Sequence, residues 1–299
     1  MFKTIGLWFA MNAAVMIVIV SIFAILEHFF GIKLDLYGQN YTSILIYSAI
    51  VWFWGSFFSL MISKWMAKRA YDITLITEQN ESSLDEKERI VYTTVLSLAK
   101  QHWIKTPEVG IYQNDEPNAF ATGPSKNNSL VAVSTWLLSS MDKWAIEWVV
   151  AHEMAHVLNW DMVTMTLLQW VLNTFVVFFA RIVANIIASR VNEWLSGIAY
   201  FAVNIVLQIL FWILASLLSN KFSRYREYKA DAWSAKYVWK EKMIAWLQAL
   251  KRMQEKMQPA EWTMASMQIA TKKKGWFMAL FSTHPDLDDR IKALENLRV

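Results

Sequence analysis

Four long apolar runs, residues 5–26, 41–66, 165–188 and 195–218, limit what this chain can become. About 20 apolar residues suffice to cross a bilayer as a helix. The first run, Ile5 to Leu26, is interrupted mainly by Asn12 and is followed by no small-residue cleavage site. It also exceeds the roughly 7–15 residues of a signal-peptide core, so it reads as a permanent span. The third run carries Arg181 and Asn185; an arginine inside a span faces protein or a watery cavity. Composition agrees: 56% of the residues are hydrophobic and 18% charged, against about 25% charged in soluble domains. The length leaves room for one polar domain of about 150 residues beside the spans. The absence of cysteine excludes disulfides and cysteine-ligated zinc.

Basic residues set the expected orientation. Lys3 precedes the first run, and Lys64, Lys68 and Arg69 close the second. The loop 27–40 has no basic excess, while Lys221, Arg224, Arg226 and Lys229 follow the fourth run. Both termini and both polar segments are therefore expected on the cytoplasmic side of four spans. The organisation read from the sequence is two transmembrane helices over 1–66, a cytoplasmic part over 67–164, two further hydrophobic helices over 165–218, and a helical cytoplasmic part over 219–299.

The polar segments read as α+β. "SSLDEKERIVYTTVLSLAKQHWI" opens a helix, with Ser83 and Glu86 at capping-box spacing. "EVGIYQ", "NAFATG" and "SLVAVS" read as three short strands between Pro- and Asn-rich turns. Helical spacing returns from Met141 to Leu158, and 222–257 reads as one or two helices.

The Met141–Leu158 segment contains "HEMAH". Residues i and i+4 share a helix face, so His152 and His156 can offer two imidazoles to one metal ion, with Glu153 beside them as base. This is the H-E-x-x-H arrangement of zinc peptidases. With only 5 histidines in 299 residues, the coincidence is rarely accidental. A catalytic zinc needs a third protein ligand and an open fourth position. The remaining histidines are His28, His102 and His284; "EYKAD" offers Glu227 instead, with Asp231 one turn later.

Six stretches in order, "SKWMA" (63–67), "NAFATG" (118–123), "LVAVST" (130–135), "HEMAHVLNWDMVTMT" (152–166), "FSRYREYKADA" (222–232) and "STHPDLDDRI" (282–291), resemble the HtpX family. Its members are membrane-embedded zinc metalloproteases related to the CAAX-prenyl endopeptidases. The resemblance implies a zincin-like α+β metallopeptidase domain joined to four transmembrane helices. It implies one zinc ion per chain held by His152, His156 and Glu227, Glu153 as general base, and Asp231 orienting a ligand histidine. It further implies multi-pass placement in the cell's inner (plasma) membrane, with cytoplasmic proteolytic quality control of misfolded or unassembled membrane proteins. Polypeptides and the lipid bilayer are the expected partners, and nucleic acid is not. Asn118, beside an edge strand that an extended substrate could join, His284 in "THP" and Arg290 are weaker candidates for substrate contact; Arg290 better suits an ion pair pinning the C-terminal helix. The alternatives are a prenyl-protein-type endopeptidase and a non-catalytic scaffold whose structural metal would need four protein ligands.

One feature departs from that family. Glycine supplies 8 residues and tryptophan 17 of 299, where about 7% glycine is ordinary. Trp52, Trp54, Trp103, Trp136, Trp160, Trp170, Trp233 and Trp239 stand where the family tends to carry glycine, whereas Trp65 matches a family tryptophan. Trp160 follows Leu158-Asn159 at a helix end, where a left-handed residue, usually Gly, closes the last turn. Trp233 lies two residues past Asp231, on a helix that must approach the metal closely. Interfacial enrichment of aromatics explains Trp52 or Trp194 but not Trp136, Trp160 and Trp233. The pattern fits UGA codons read as tryptophan in this sequence and as glycine in the source organism.

Overall fold

The structure is a computed structural model describing residues 28, 41–77, 79–114, 117–237, 240–256 and 282–297. The expected first span, the loop 27–40 apart from His28, and Trp239 lie outside those residues. The fold is mixed α+β. Helix α1 (Tyr41–Ala70) leads to strand β1 (Thr74–Ile76), a 3-10 turn (Glu81–Ser83) and helix α2 (Glu86–Gln101). Strands β2 (Glu108–Tyr112), β3 (Ala119–Ser125) and β4 (Asn128–Ser134) follow, then helices α3 (Thr135–Ser140) and α4 (Lys143–Leu158). The chain continues through α5 (Asp161–Ala188), α6 (Glu193–Tyr237), α7 (Lys240–Lys256) and α8 (Leu287–Glu295).

It divides into two units, 1–59 with 165–219 and 60–164 with 220–299. In the first unit, Trp170 donates its indole N–H to the Ala49 carbonyl at 2.9 Å. The Arg181 guanidinium lies over the Tyr47 ring, 4.6 Å from its centroid, so the charge inside this apolar helix is met by a π face. Among the described residues, α1, α5 and α6 are long and apolar enough to cross a membrane. On α6, Phe201, Val206, Ile209, Trp212 and Leu214 stay exposed, the pattern of a surface made for an apolar surrounding.

In the second unit the sheet order is β1-β2-β4-β3, with β2 and β4 parallel and the other pairs antiparallel. Strand β3 is thus an edge. Leu130, Val131, Ala132 and Val133 of β4 are fully buried, as a central strand covered on both faces should be. Helix α4 packs on α2, β3 and α7. It carries no polar stripe because it is buried nearly all round, from Ala145 to Leu158.

Three features differ from the sequence reading. The capping box of α2 is Asp85 with Glu88, not Ser83 with Glu86: Asp85 accepts from the Glu88 N–H and the Glu88 side chain accepts from the Asp85 N–H. Ser83 is taken up by the preceding 3-10 turn, where its hydroxyl donates to the Asn80 carbonyl. Strand β1, only three residues long, had no periodic signal to read. The apolar run 195–218 and the charged stretch after it, read as separate helices, form one helix of 45 residues that continues through Glu227 and Asp231.

Candidate metal centre

Within the second unit, α4 and the C-terminal part of α6 converge on one point. Helix α4 supplies His152 and His156, one turn apart, and α6 supplies Glu227. The His152 and His156 Nε2 atoms are 3.2 Å apart. Glu227 places Oε2 3.4 Å from His152 Nε2 and Oε1 3.3 Å from His156 Nε2. Tetrahedral zinc with bonds of 2.0–2.1 Å needs ligand atoms about 3.3 Å apart, so the donor set fits such an ion.

The backs of both rings agree with that use. His152 Nδ1 lies 3.0 Å from Asp231 Oδ1, and His156 Nδ1 lies 2.6 Å from Asp161 Oδ2. A proton on each Nδ1 leaves both Nε2 lone pairs facing Glu227, the tautomer a metal ligand requires. Burial opposes charge on His156, but Asp161 and Glu227 outweigh it and raise the ring to about 10. Burial likewise opposes charge on Glu227, yet its imidazole neighbours His152, His156 and His284 hold the carboxyl well below the usual range. The cluster is built to hold a positive charge.

Glu153 is partly exposed and lines the cleft in front of this cluster. Burial raises its carboxyl pKa more than the His156 and His152 charges lower it, which moves it toward the range useful to a general base. Asn118 and Ala119–Ala121, at the start of edge strand β3, line the same cleft. The Asn118 backbone is fixed at both ends: its N–H donates to Ser134 Oγ at 3.0 Å and its carbonyl accepts from the Ser134 N–H at 2.8 Å.

His284 also reaches the cleft, with Nδ1 3.0 Å from Glu227 Oε2. Its segment is tied to α6 by Arg224, which donates to the Ser282 carbonyl at 2.6 Å. Arg290, 2% exposed, forks onto Asp231: Nε donates to Oδ2 at 2.7 Å and Nη2 to Oδ1 at 2.6 Å. His102 lies apart from the cluster, beside Trp233 and Tyr237.

The matched residues place the chain in a known group. The pattern of "Peptidase family M48" matches residues 85–298. The chain belongs to peptidase family M48. Protease HtpX of Pasteurella multocida is 48% identical over 97% of both chains. The Protease HtpX homologs of Bacillus licheniformis and Methylacidiphilum infernorum are 48% and 45% identical, over 86% and 99% of both chains respectively. The crystal structure of Ste24p from S. mikatae shares the fold, with a TM-score of 0.65 at 18% identity, covering 99% of this chain and 65% of that one. This chain is therefore an HtpX-type M48 metalloprotease, and His152, His156 and Glu227 form its metal site.

Sequence reading missed Asp161 and Arg226. Asp161 follows the end of α4 and folds back onto His156, while Arg226 Nη1 donates to the Asp161 carbonyl at 3.1 Å. A carboxylate five residues past the second histidine was the available signal. Asp161→Asn is expected to weaken metal binding by about 10–100-fold, as removal of a partner that orients a ligand does. Titration against a chromogenic chelator checks this; unchanged affinity contradicts it.

Proposed function

We propose that this M48 protease is a multi-pass, zinc-dependent endopeptidase of the plasma membrane that cleaves misfolded or unassembled membrane proteins from the cytoplasmic side. The observation that carries the zinc chemistry is the spacing of 3.2–3.4 Å among three donor atoms of His152, His156 and Glu227. Zinc held there supplies Lewis acidity toward the scissile carbonyl and its attacking water. Glu153 takes the proton from that water and returns it to the departing amine. Asp231 and Asp161 hold the two imidazoles in their ligand tautomer.

The substrate lies extended along β3 and adds to the sheet by main-chain hydrogen bonds. The edge position of β3 among the described strands and its place in the cleft wall support this. Asn118 and His284 contact the bound peptide, and Arg290 acts on the site through Asp231. The exposed apolar surfaces of the long helices support a membrane setting, and the basic residues beside the apolar runs support a cytoplasmic site.

Two experiments test the biological part. An orphan subunit of a membrane complex, co-produced with the protein, is expected to disappear, and to persist beside Glu153→Gln. Equal persistence in both contradicts the substrate class. A tag in the loop 27–40 is expected to be labelled from outside the cytoplasm, with tags at either terminus protected. Cytoplasmic labelling of that loop contradicts the orientation.

A further inference from the structure

We infer that residues 103 and 160 of the natural protein are glycine, encoded by UGA codons that its genetic code reads as glycine and that this sequence renders as tryptophan. The backbone carries the inference. Among the described residues, only three non-glycine positions have a left-handed φ: Asp72 at 49°, Trp103 at 54° and Trp160 at 61°. Asp tolerates this region, whereas a bulky side chain there is an outlier. Tryptophan nevertheless supplies two of the three.

Both positions are the helix stops at which glycine is the default. Helix α2 has its C-cap at His102; the Trp103 N–H donates to the Lys100 carbonyl at 3.3 Å and the Ile104 N–H to the Ala99 carbonyl at 3.1 Å. That pair of bonds is the Schellman motif, whose left-handed residue is usually glycine because a β-carbon is unfavourable there. Helix α4 has its C-cap at Asn159, and the Trp160 N–H donates to the Val157 carbonyl at 3.3 Å, again from the left-handed residue to the second-last turn position.

Burial offsets none of the conformational cost at Trp103, and the Trp160 ring is only half covered. Trp103 is 94% exposed and Trp160 46% exposed. Around Trp160 the ring contact found is Lys126, 5.2 Å from the ring centroid. Trp233, by contrast, packs against Tyr237 with ring centroids 4.2 Å apart, so close packing at that position does not by itself require glycine. Residues 103 and 160 are the two positions whose backbone asks for glycine, and any other tryptophan encoded by UGA follows the same decoding. Composition points the same way independently of geometry, with 8 glycines against 17 tryptophans.

The turn at 160 also matters to the metal centre. It lies between His156 on α4 and Asp161 at the start of α5, the two residues joined at 2.6 Å. A residue that adopts the left-handed region freely sets that contact without strain.

The gene and the native protein decide the matter. UGA is expected at codons 103 and 160, and peptides of protein purified from the source organism are expected to contain glycine at both. UGG at either codon, or a native peptide with tryptophan at either position, overturns the inference. A second measurement tests the backbone requirement in recombinant protein bearing tryptophan. Trp103→Gly and Trp160→Gly are each expected to raise Tm by about 2–4 °C; an unchanged or lower Tm at either site overturns it as well.

Discussion

Glu153→Gln is expected to abolish proteolysis while the protein keeps its zinc. Glu153 lines the cleft but is not one of the three residues whose donor atoms converge, so its amide leaves the metal site complete. On the proposed mechanism the variant loses the proton acceptor, a carboxylate whose pKa burial has already lifted. Loss of a general base costs about 10²–10⁴-fold. Metal analysis and peptide cleavage on one preparation check both halves. Full activity in the variant removes Glu153 from the reaction, and loss of zinc along with activity makes it a ligand instead.

Glu227→Ala and Asp231→Ala lie one turn apart on α6 and are expected to fail differently. Glu227→Ala removes one of three protein ligands, and the purified variant should carry little zinc. Asp231→Ala acts mainly on stability. Its carboxylate is the bidentate acceptor of Arg290, and both side chains are 2% exposed. Stripping one partner from a buried ion pair costs about 3–5 kcal/mol, a large part of the 5–15 kcal/mol that holds a domain together. The expected sign is a depressed denaturant midpoint for Asp231→Ala. A zinc-loaded Glu227→Ala protein would point to His284, 3.0 Å from Glu227, as the third ligand.

The parts of this molecule legible in the sequence are those where one local pattern decides the outcome. "HEMAH" names its chemistry because i and i+4 must meet on any helix. "EVGIYQ", "NAFATG" and "SLVAVS" become β2, β3 and β4 because their turn residues bound them closely. Patterns competing at neighbouring positions were harder. Ser83 and Asp85 offer overlapping capping boxes, and the one that joins the buried stripe Val91, Val95, Leu98 forms. The continuity of α6 was hidden because its first half is apolar and its second half charged, which reads as two segments. Asp161 was hidden because its contact with His156 depends on the turn between two helices, not on a periodic spacing. That turn is the left-handed step at residue 160.

Cleavage of an unfolded protein such as casein by the purified enzyme, followed before and after a chelator and again after zinc is restored, tests the central claim most directly. Activity is expected to vanish on chelation and to return with stoichiometric zinc, one ion per chain, in the natural sequence but not in Glu153→Gln. Cleavage that persists in the fully metal-free protein would contradict a zinc-dependent mechanism built on His152, His156 and Glu227.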